Sequence, residues 1–200
     1  FKPWDLVLHQ DSRFKLRSLD ERILPEPDTV FPTLRWGSCA VVGNAGHLRL
    51  RKYGREIDRH DVVVRINQAP TRGYEQFVGS KTTFRLLNRL WSEHYGKRDS
   101  HVRYRLPLEP HVALVSSRGE DQSLLYDNMH NLFRHYRRDV QVLVLNFRLV
   151  KNARDFLGVF RNCLKAAGRK YKGGGVPSSG LVIAFALKDL CDTVDLYGFG

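Results

Sequence analysis

Short apolar stretches rich in β-branched residues alternate along this chain with longer amphipathic ones. The first stretch, CAVVG (39–43), is bounded by glycine and is too short for a buried helix, so it predicts a buried parallel strand. Further strands are predicted at 61–67, 82–88, 112–117 and 140–146, and a last strand running into a loop at 193–200. Because helical segments separate many of these stretches, the strands are expected to run parallel.

Helices are predicted between the strands. The segments 47–58, 121–136 and 153–168 are predicted helices, and 178–191 is predicted as a buried helix that Ser178 or Ser179 caps. The expected fold class is therefore α/β, with a mostly parallel sheet and helices on both of its faces. Residues 1–37 contain four prolines with charges between them, which predicts an extended lead-in wrapped on the domain.

The charge of the chain narrows the class of partner. It carries 33 Lys and Arg against 21 Asp and Glu, a net charge of +12, which favours a nucleic acid, an anionic membrane surface or a nucleotide-type substrate. No helix-turn-helix, zinc-finger or RNA-recognition signature accompanies the basic clusters, so no nucleic-acid partner is expected. No apolar run of about eighteen residues is present, so no segment of this sequence is predicted to span a membrane.

The cysteines and acidic residues do not form a metal-binding pattern. Cys39, Cys163 and Cys191 lie too far apart for the close ligand pairs of a zinc site. In an oxidising compartment they would allow one disulfide and one spare thiol, and in the cytosol all three would stay free. No Asp-x-Asp lies at a strand end, so a bound nucleotide is expected to need no metal bridge.

Three polar segments lie where strands end or helices begin. The turn Gly-Asn-Ala-Gly (43–46) either closes a tight strand–helix connection or holds an anion on its free N–H groups. Asn67 ends the second strand, at the edge where open α/β sheets bind ligands, although it is also suited to cap a turn. Pro-Ser-Ser-Gly (177–180) opens the late helix, either as a plain N-cap or as a second anion site.

Two blocks of residues resemble the motifs of a known family. Residues 38–88, with C-A-V-V-G-N, a G..ID.HD.V.R.N.AP..G core and V-G-S-K-T-T, resemble the large sialylmotif of eukaryotic sialyltransferases, glycosyltransferase family 29. Residues 176–200, with P-S-S-G, C-D-x-V-D and Y-G-F-G, resemble the small sialylmotif. The two blocks cover about 75 of the 200 residues, in the order found in the family.

The resemblance implies a metal-independent enzyme without cofactor that transfers sialic acid from CMP-sialic acid to a hydroxyl of a glycoprotein or glycolipid, with inversion. It implies a Rossmann-like nucleotide-binding fold of a modified GT-A type. Residues 38–200 would be the donor-binding part of one glycosyltransferase domain that continues beyond Gly200, so we expect 1–200 alone to lack turnover. The implied location is the Golgi lumen, with a membrane anchor outside this sequence.

The resemblance also assigns roles to individual residues. It implies a disulfide between Cys39 and Cys191, with Cys163 as the spare thiol. The general-base histidine of the family would follow Gly200, so no catalytic residue is assigned. The residues implied to contact the CMP donor are Asn44, Asn67, Ser178, Ser179, Gly180, Phe199 and Gly200.

Two departures from the family pattern fall on the implied donor pocket. Ala45 stands where many members have serine, and Val176 follows two glycines where many have an aromatic residue before the motif proline. These departures leave open a related donor, such as CMP-Kdo, with altered donor choice sought first at Ala45. A catalytically silent CMP-sugar-binding protein is a further alternative.

Overall fold

Six strands form one sheet in the computed structural model of the protein, which describes residues 3–12, 24–26, 35–96, 108–117 and 123–199. The sheet order is β5-β4-β3-β2-β1-β6, and every neighbouring pair is parallel, as the sequence predicts. Valine and leucine dominate the five strands β1 to β5, which suits strands covered on both faces. The strands are β1 Trp36–Val42, β2 Val62–Ile66, β3 Phe84–Leu87, β4 Ala113–Ser116, β5 Gln141–Val144 and β6 Cys191–Tyr197.

Six α-helices and two 3-10 helices accompany the sheet in the described part of the chain. None of these helices is long and apolar enough to cross a membrane. The 3-10 helices are Pro3–Leu6 and Gly46–Leu50. The α-helices are α1 Gly54–Asp58, α2 Glu75–Val78, α3 Arg89–Gly96, α4 Ser123–Tyr136, α5 Phe147–Ala166 and α6 Ser179–Leu187.

The helices cover both faces of the sheet, which confirms the predicted fold class. Helices α5 and α6 pack on one face, where Ala153 and Ile183 join the side chains of alternate strand positions such as Val64. Helices α1 to α4 cover the other face, in two clusters that include Ile57 and Met129. Two-sided burial explains why the sequences of β1 to β5 are largely apolar, whereas the edge strand β6 is mostly exposed and contains Asp192, Thr193 and Asp195.

The prediction of one helix over 47–58 is wrong. A 3-10 helix ends at Leu50, Arg51 is extended (φ −140°, ψ 152°), and α1 starts only at Gly54. A Cβ on Gly54 would overlap the carbonyl oxygen of Glu75 in α2, so the chain must approach α2 at a residue without a side chain. This tertiary contact with α2, twenty-one residues along, is outside the reach of local helical periodicity.

Residues 6–8, within the predicted lead-in, are buried. Leu6 and Val7 are fully buried in the core, Val7 forms an antiparallel bridge with Leu145, and the Leu8 N–H donates to the Val144 carbonyl at 2.8 Å. Residues 13–23 and 27–34 of the predicted lead-in lie outside the described residues. The first strand begins at Trp36, two residues before the predicted domain start.

The order of strands in the sheet reverses at β1. From β1 the chain adds strands successively toward β5, and it then returns to place β6 on the other side of β1. The connection that leaves β1 packs on one face of the sheet, and helix α6, which leads into β6, packs on the other, so the strand order reverses between β1 and β6. Such a switch point opens a crevice, which is where open α/β sheets bind ligands.

Candidate functional site

Three segments meet at the carboxyl ends of β1 and β6. The Gly43 N–H donates to the Tyr197 carbonyl at 2.7 Å, and a Cβ on Gly43 would overlap the Gly198 carbonyl oxygen. A Cβ on Gly180, at the start of α6, would overlap the ring of Phe199. The turn after β1, the loop after β6 and the start of α6 therefore form one continuous surface at the switch point.

The start of α6 offers polar groups at this surface. Ser178 is the N-cap: its Oγ accepts from the Leu181 N–H at 3.2 Å, so of the two predicted serines it is Ser178 that caps the helix. Ser178 is exposed, Ser179 is half-buried and Gly180 is buried. One helix-start N–H is thus satisfied by the cap, and the positive end of the helix dipole lies beside Phe199.

The turn after β1 is followed by a single 3-10 turn rather than a long helix. Asn44 is exposed and Ala45, in extended conformation (φ −68°, ψ 136°), is half-buried. No side chain caps the 3-10 helix Gly46–Leu50. So short a helix has little dipole, so among the three segments that meet here the helix-start field comes from α6. The turn contributes the exposed side-chain amide of Asn44 and the close backbone approach of Gly43.

Asn67 lies at the same edge, at the carboxyl end of β2 beside β1. It is a non-glycine residue with positive φ (55°), a conformation that asparagine adopts more readily than most residues. Its Oδ1 accepts from the Asn88 N–H at 2.9 Å, and its carbonyl accepts from Arg85 Nη1 at 3.0 Å. Asn67 is thus hydrogen-bonded to Arg85 in β3 and to Asn88 just after β3. Asn44 instead follows β1, the strand that pairs with β6.

Two buried arginines lie beneath Asn67, and they were not singled out from the sequence. Arg65 and Arg85 are in register on β2 and β3, and both are almost completely buried. Arg85 forms a two-pronged ion pair with Glu109, Nε to Oε2 at 2.9 Å and Nη2 to Oε1 at 2.5 Å. The signal that would have found them is an arginine inside each of two apolar strands, VVVRI and FRLL.

The charges of these groups persist at neutral pH. Burial, and then the charge of Arg85, lowers the pKa of Arg65 to about 10, so Arg65 stays protonated. Burial acts to raise the pKa of Glu109, but the hydrogen bond and charge of Arg85 outweigh it and hold that pKa below its usual value. Two guanidinium groups and one carboxylate therefore lie on this face of β2 and β3.

Cys39 and Cys191 form a disulfide, as the resemblance implies, with a Cα–Cα distance of 6.1 Å. Both are buried, and the bond links β1 to the start of β6, the two strands on either side of the switch point. Cys163 is an exposed free cysteine on α5. Among the described residues, no three His, Cys, Asp or Glu side chains are grouped so that they could hold a metal ion.

Comparison with protein families identifies the family of this fold. The model of glycosyltransferase family 29 (sialyltransferase) matches residues 5–200. The chain belongs to glycosyltransferase family 29. This confirms the family that the sequence resembles, and it covers the whole surface formed by the β1 turn, the start of α6 and the loop after β6.

Relatives with curated names agree with this family. The chain is 33% identical over 177 residues to Sialyltransferase-like protein 2 of Arabidopsis thaliana, which covers 88% of this chain and 33% of that protein. It is 34% identical to human CMP-N-acetylneuraminate-beta-galactosamide-alpha-2,3-sialyltransferase 1, over 81% of this chain and 44% of the relative. It is also 34% identical to human Beta-galactoside alpha-2,6-sialyltransferase 1, over 82% of this chain and 40% of the relative. The chain thus spans less than half the length of these relatives.

Two solved structures share the fold. A mammalian sialyltransferase in complex with Gal-beta-1-3GalNAc-ortho-nitrophenol superposes with a TM-score of 0.54 at 30% identity, over 82% of this chain and 56% of that one. A crystal structure of a mammalian sialyltransferase superposes with a TM-score of 0.59 at 26% identity, over 98% of this chain and 69% of that one. The fold of family 29 therefore extends over most of this chain.

Proposed function

We propose that the protein is a sialyltransferase that transfers sialic acid from CMP-sialic acid to a glycan hydroxyl, with inversion and without a metal cofactor. Its acceptor would be a galactose- or N-acetylgalactosamine-type sugar on a glycoprotein or glycolipid. Relatives named for α-2,3 and α-2,6 transfer are equally similar to it, so the proposal covers the sugar class and no particular linkage. The observation that carries the proposal is the meeting of the β1 turn, the start of α6 and the loop after β6 at the switch point of a family 29 fold.

That surface suits an anionic leaving group. Transfer breaks the bond between the anomeric carbon of sialic acid and a phosphate oxygen of CMP, and the electron pair stays on that oxygen. N–H groups and a helix dipole directed at the phosphate would therefore stabilise the departing CMP. The start of α6 supplies both. The residues proposed to contact the CMP donor are Asn44, Asn67, Ser178, Ser179, Gly180 and Phe199, with Ala45 as a contact that affects donor choice, and Gly200, which lies outside the described residues.

The acceptor hydroxyl must lose a proton as it attacks, which calls for a general base. We propose that this base is a histidine beyond Gly200, and we assign no catalytic residue within residues 1–200. The positive net charge of +12 has the sign that suits an anionic sugar nucleotide, and no nucleic-acid partner is proposed.

The decisive experiment measures transfer by the full-length protein from CMP-sialic acid to a galactose-terminated acceptor, with and without EDTA. We expect a sialylated product in both conditions. CMP-sialic acid binding without any transfer would favour the catalytically silent alternative. Absence of CMP binding would overturn the proposal altogether.

A related donor, CMP-Kdo, is the second candidate. It is favoured by Ala45, which removes a hydroxyl found in many members, and by Val176, which is 57% exposed where many members have an aromatic residue. A donor panel on the full-length protein separates the two. A higher rate with CMP-Kdo than with CMP-sialic acid would replace the first proposal by the second.

We also propose that this domain works in the Golgi lumen, held to the membrane by an anchor outside this sequence. The support is the buried Cys39–Cys191 disulfide, since such bonds persist in oxidising compartments. Protease protection of the full-length protein in intact Golgi vesicles, lost on adding detergent, is the expected result. Digestion without detergent would contradict a lumenal domain.

A further inference from the structure

Asn67 has one polar group left for a ligand. Its N–H donates to the Leu86 carbonyl at 2.8 Å, its carbonyl accepts from Arg85, and its Oδ1 accepts from the Asn88 N–H. Because a backbone N–H is only a donor, the side-chain oxygen and not the nitrogen must face Asn88. Within the described part of the chain Nδ2 has no hydrogen-bond partner, so Asn67 presents a donor at the carboxyl edge.

The backbone of Asn67 is held in its left-handed conformation by an ion pair beneath it. Arg85 is 1% exposed, donates to the Asn67 carbonyl through Nη1, and uses its other two nitrogens for Glu109. The Thr71 hydroxyl donates to Glu109 Oε1 at 2.9 Å. The loop that follows β2 is therefore tied at both Asn67 and Thr71 to the same Arg85–Glu109 pair.

This arrangement depends on the shape of a guanidinium group. Arginine presents its donors in one rigid plane, so pairing two of them with Glu109 directs Nη1 at the Asn67 carbonyl. A lysine would keep the charge beside Glu109 but could not hold the carboxylate and the carbonyl in the same geometry. Glu109 remains ionised because Arg85 keeps its pKa below the usual value in spite of burial.

We propose that Arg85 and Glu109 are positioning residues that set the Nδ2 amide of Asn67 as a hydrogen-bond donor to an acceptor oxygen of the CMP donor. This rests on the proposed function, in which Asn67 contacts the donor. Arg85 and Glu109 act only through Asn67 and do not touch the nucleotide.

A double-mutant cycle on CMP affinity tests the proposal in the full-length protein. Asn67→Asp keeps the oxygen that accepts from Asn88 but replaces the donor by an acceptor, so we expect the Kd for CMP to rise about tenfold or more. Arg85→Lys should raise the Kd about fivefold when Asn67 is present. In the Asn67→Asp background, Arg85→Lys should raise the Kd for CMP less than about twofold, because the Asn67 amide through which Arg85 acts is already absent.

The matched control is Arg65→Lys, the same substitution at a buried arginine in register with Arg85. Arg65 donates to the Thr82 hydroxyl and the Lys81 carbonyl and, within the described residues, makes no hydrogen bond to Asn67. Arg65→Lys should lower the melting temperature as Arg85→Lys does but leave the Kd for CMP within about twofold. If Arg85→Lys does not fold, Thr71→Val replaces it, since it removes only the loop hydrogen bond to Glu109, and it should raise the Kd about threefold with Asn67 present.

Three outcomes would overturn the proposal. An effect of Arg85→Lys that is equal in the two backgrounds would make its role merely structural. An unchanged Kd in Arg85→Lys, or in Thr71→Val where that variant replaces it, would remove the link to Asn67. Absence of CMP binding by the wild-type protein would overturn the proposed function as well, so the two failures are distinguishable.

Discussion

At the scale of single residues, the glycines of the β1 turn have different tasks. Gly43 is packed so closely that an added Cβ would overlap the Gly198 carbonyl, whereas nothing lies within 4 Å of the position of a Cβ on Gly46. Neither residue has a positive φ, so close approach and not backbone conformation is what requires glycine at position 43. The sequence pattern G-x-x-G alone treats them as equivalent.

Replacement of these two glycines by alanine should therefore change the free energy of unfolding by clearly different amounts. Gly43→Ala is expected to lower the free energy of unfolding by about 2 kcal/mol or more, because backbone atoms of β1 and the loop after β6 must separate. Gly46→Ala, the matched control, should change it by less than about 1 kcal/mol, in the stabilising direction if at all. Urea denaturation of both variants measures the difference, and equal effects would contradict the packing described for Gly43.

Ser178 combines a structural and a proposed binding task, and aspartate separates them. Ser178→Asp should keep the melting temperature close to that of the wild type, because aspartate accepts from the Leu181 N–H equally well. Its negative charge should repel the phosphate of CMP and raise the Kd about tenfold.

Ser178→Gly is the control for that experiment. Glycine costs only a few tenths of a kcal/mol at an N-cap and removes the hydroxyl without adding charge, so its Kd should lie between those of the wild type and the aspartate variant. Calorimetric titration with CMP gives both values. An unchanged Kd in Ser178→Asp would place the phosphate away from α6.

At the scale of elements, the local hydrophobic pattern predicted the strands more accurately than the helices. The five strands β1 to β5 were predicted within two or three residues at either end, because a run of β-branched residues between polar turns has few alternatives. Helix α5 begins at Phe147, six residues before the predicted start, because Asn146 at the end of β5 already serves as its N-cap. Helices α2 and α3 were not predicted because four and eight residues are too few to show a helical period.

The cap of α5 also joins that helix to the start of the described chain. Asn146 Oδ1 accepts from the Arg148 N–H at 3.2 Å, and Nδ2 donates to the Asp5 carbonyl at 3.1 Å. Asn146→Ala is expected to lower the free energy of unfolding by about 1–2 kcal/mol. Asn146→Asp should keep the capping hydrogen bond but lose the bond to the Asp5 carbonyl, so its free energy of unfolding in chemical denaturation should lie between those of the alanine variant and the wild type. A free energy as low as that of the alanine variant would contradict the cap.

At the scale of the whole molecule, one covalent bond links the two blocks of sequence that resemble the large and small sialylmotifs. The Cys39–Cys191 disulfide closes a loop between positions 152 residues apart, which includes β2 to β5 and α1 to α6. Because the bond restricts the unfolded chain over this long loop, the loop-closure estimate of its contribution is about 5 kcal/mol. The switch-point surface depends on β1 and β6 staying side by side, so the bond also supports the site.

Removal of the disulfide should therefore lower stability strongly. Replacing Cys39 and Cys191 by alanine is expected to lower the free energy of unfolding by up to about 5 kcal/mol, measured by denaturation without reductant. Cys163→Ser, at the exposed cysteine, should leave stability within about 0.5 kcal/mol. Peptide mapping without reduction should find Cys39 bound to Cys191 and only Cys163 free; both Cys39 and Cys191 as free thiols would contradict the bond.

The sequence by itself determined the fold class and the family, and the resemblance to that family implied the pairing of Cys39 with Cys191 that the structure contains. These depend on strand-forming runs, on the alternation of elements and on two specific motifs, all of which are contained in short segments. Only the tertiary structure decided the break before Gly54, the choice of Ser178 as cap, and the ties that leave the Asn67 amide as a donor. Each of those depends on a neighbouring element or on how one helix start is oriented, and local hydrophobic pattern has no information about such contacts.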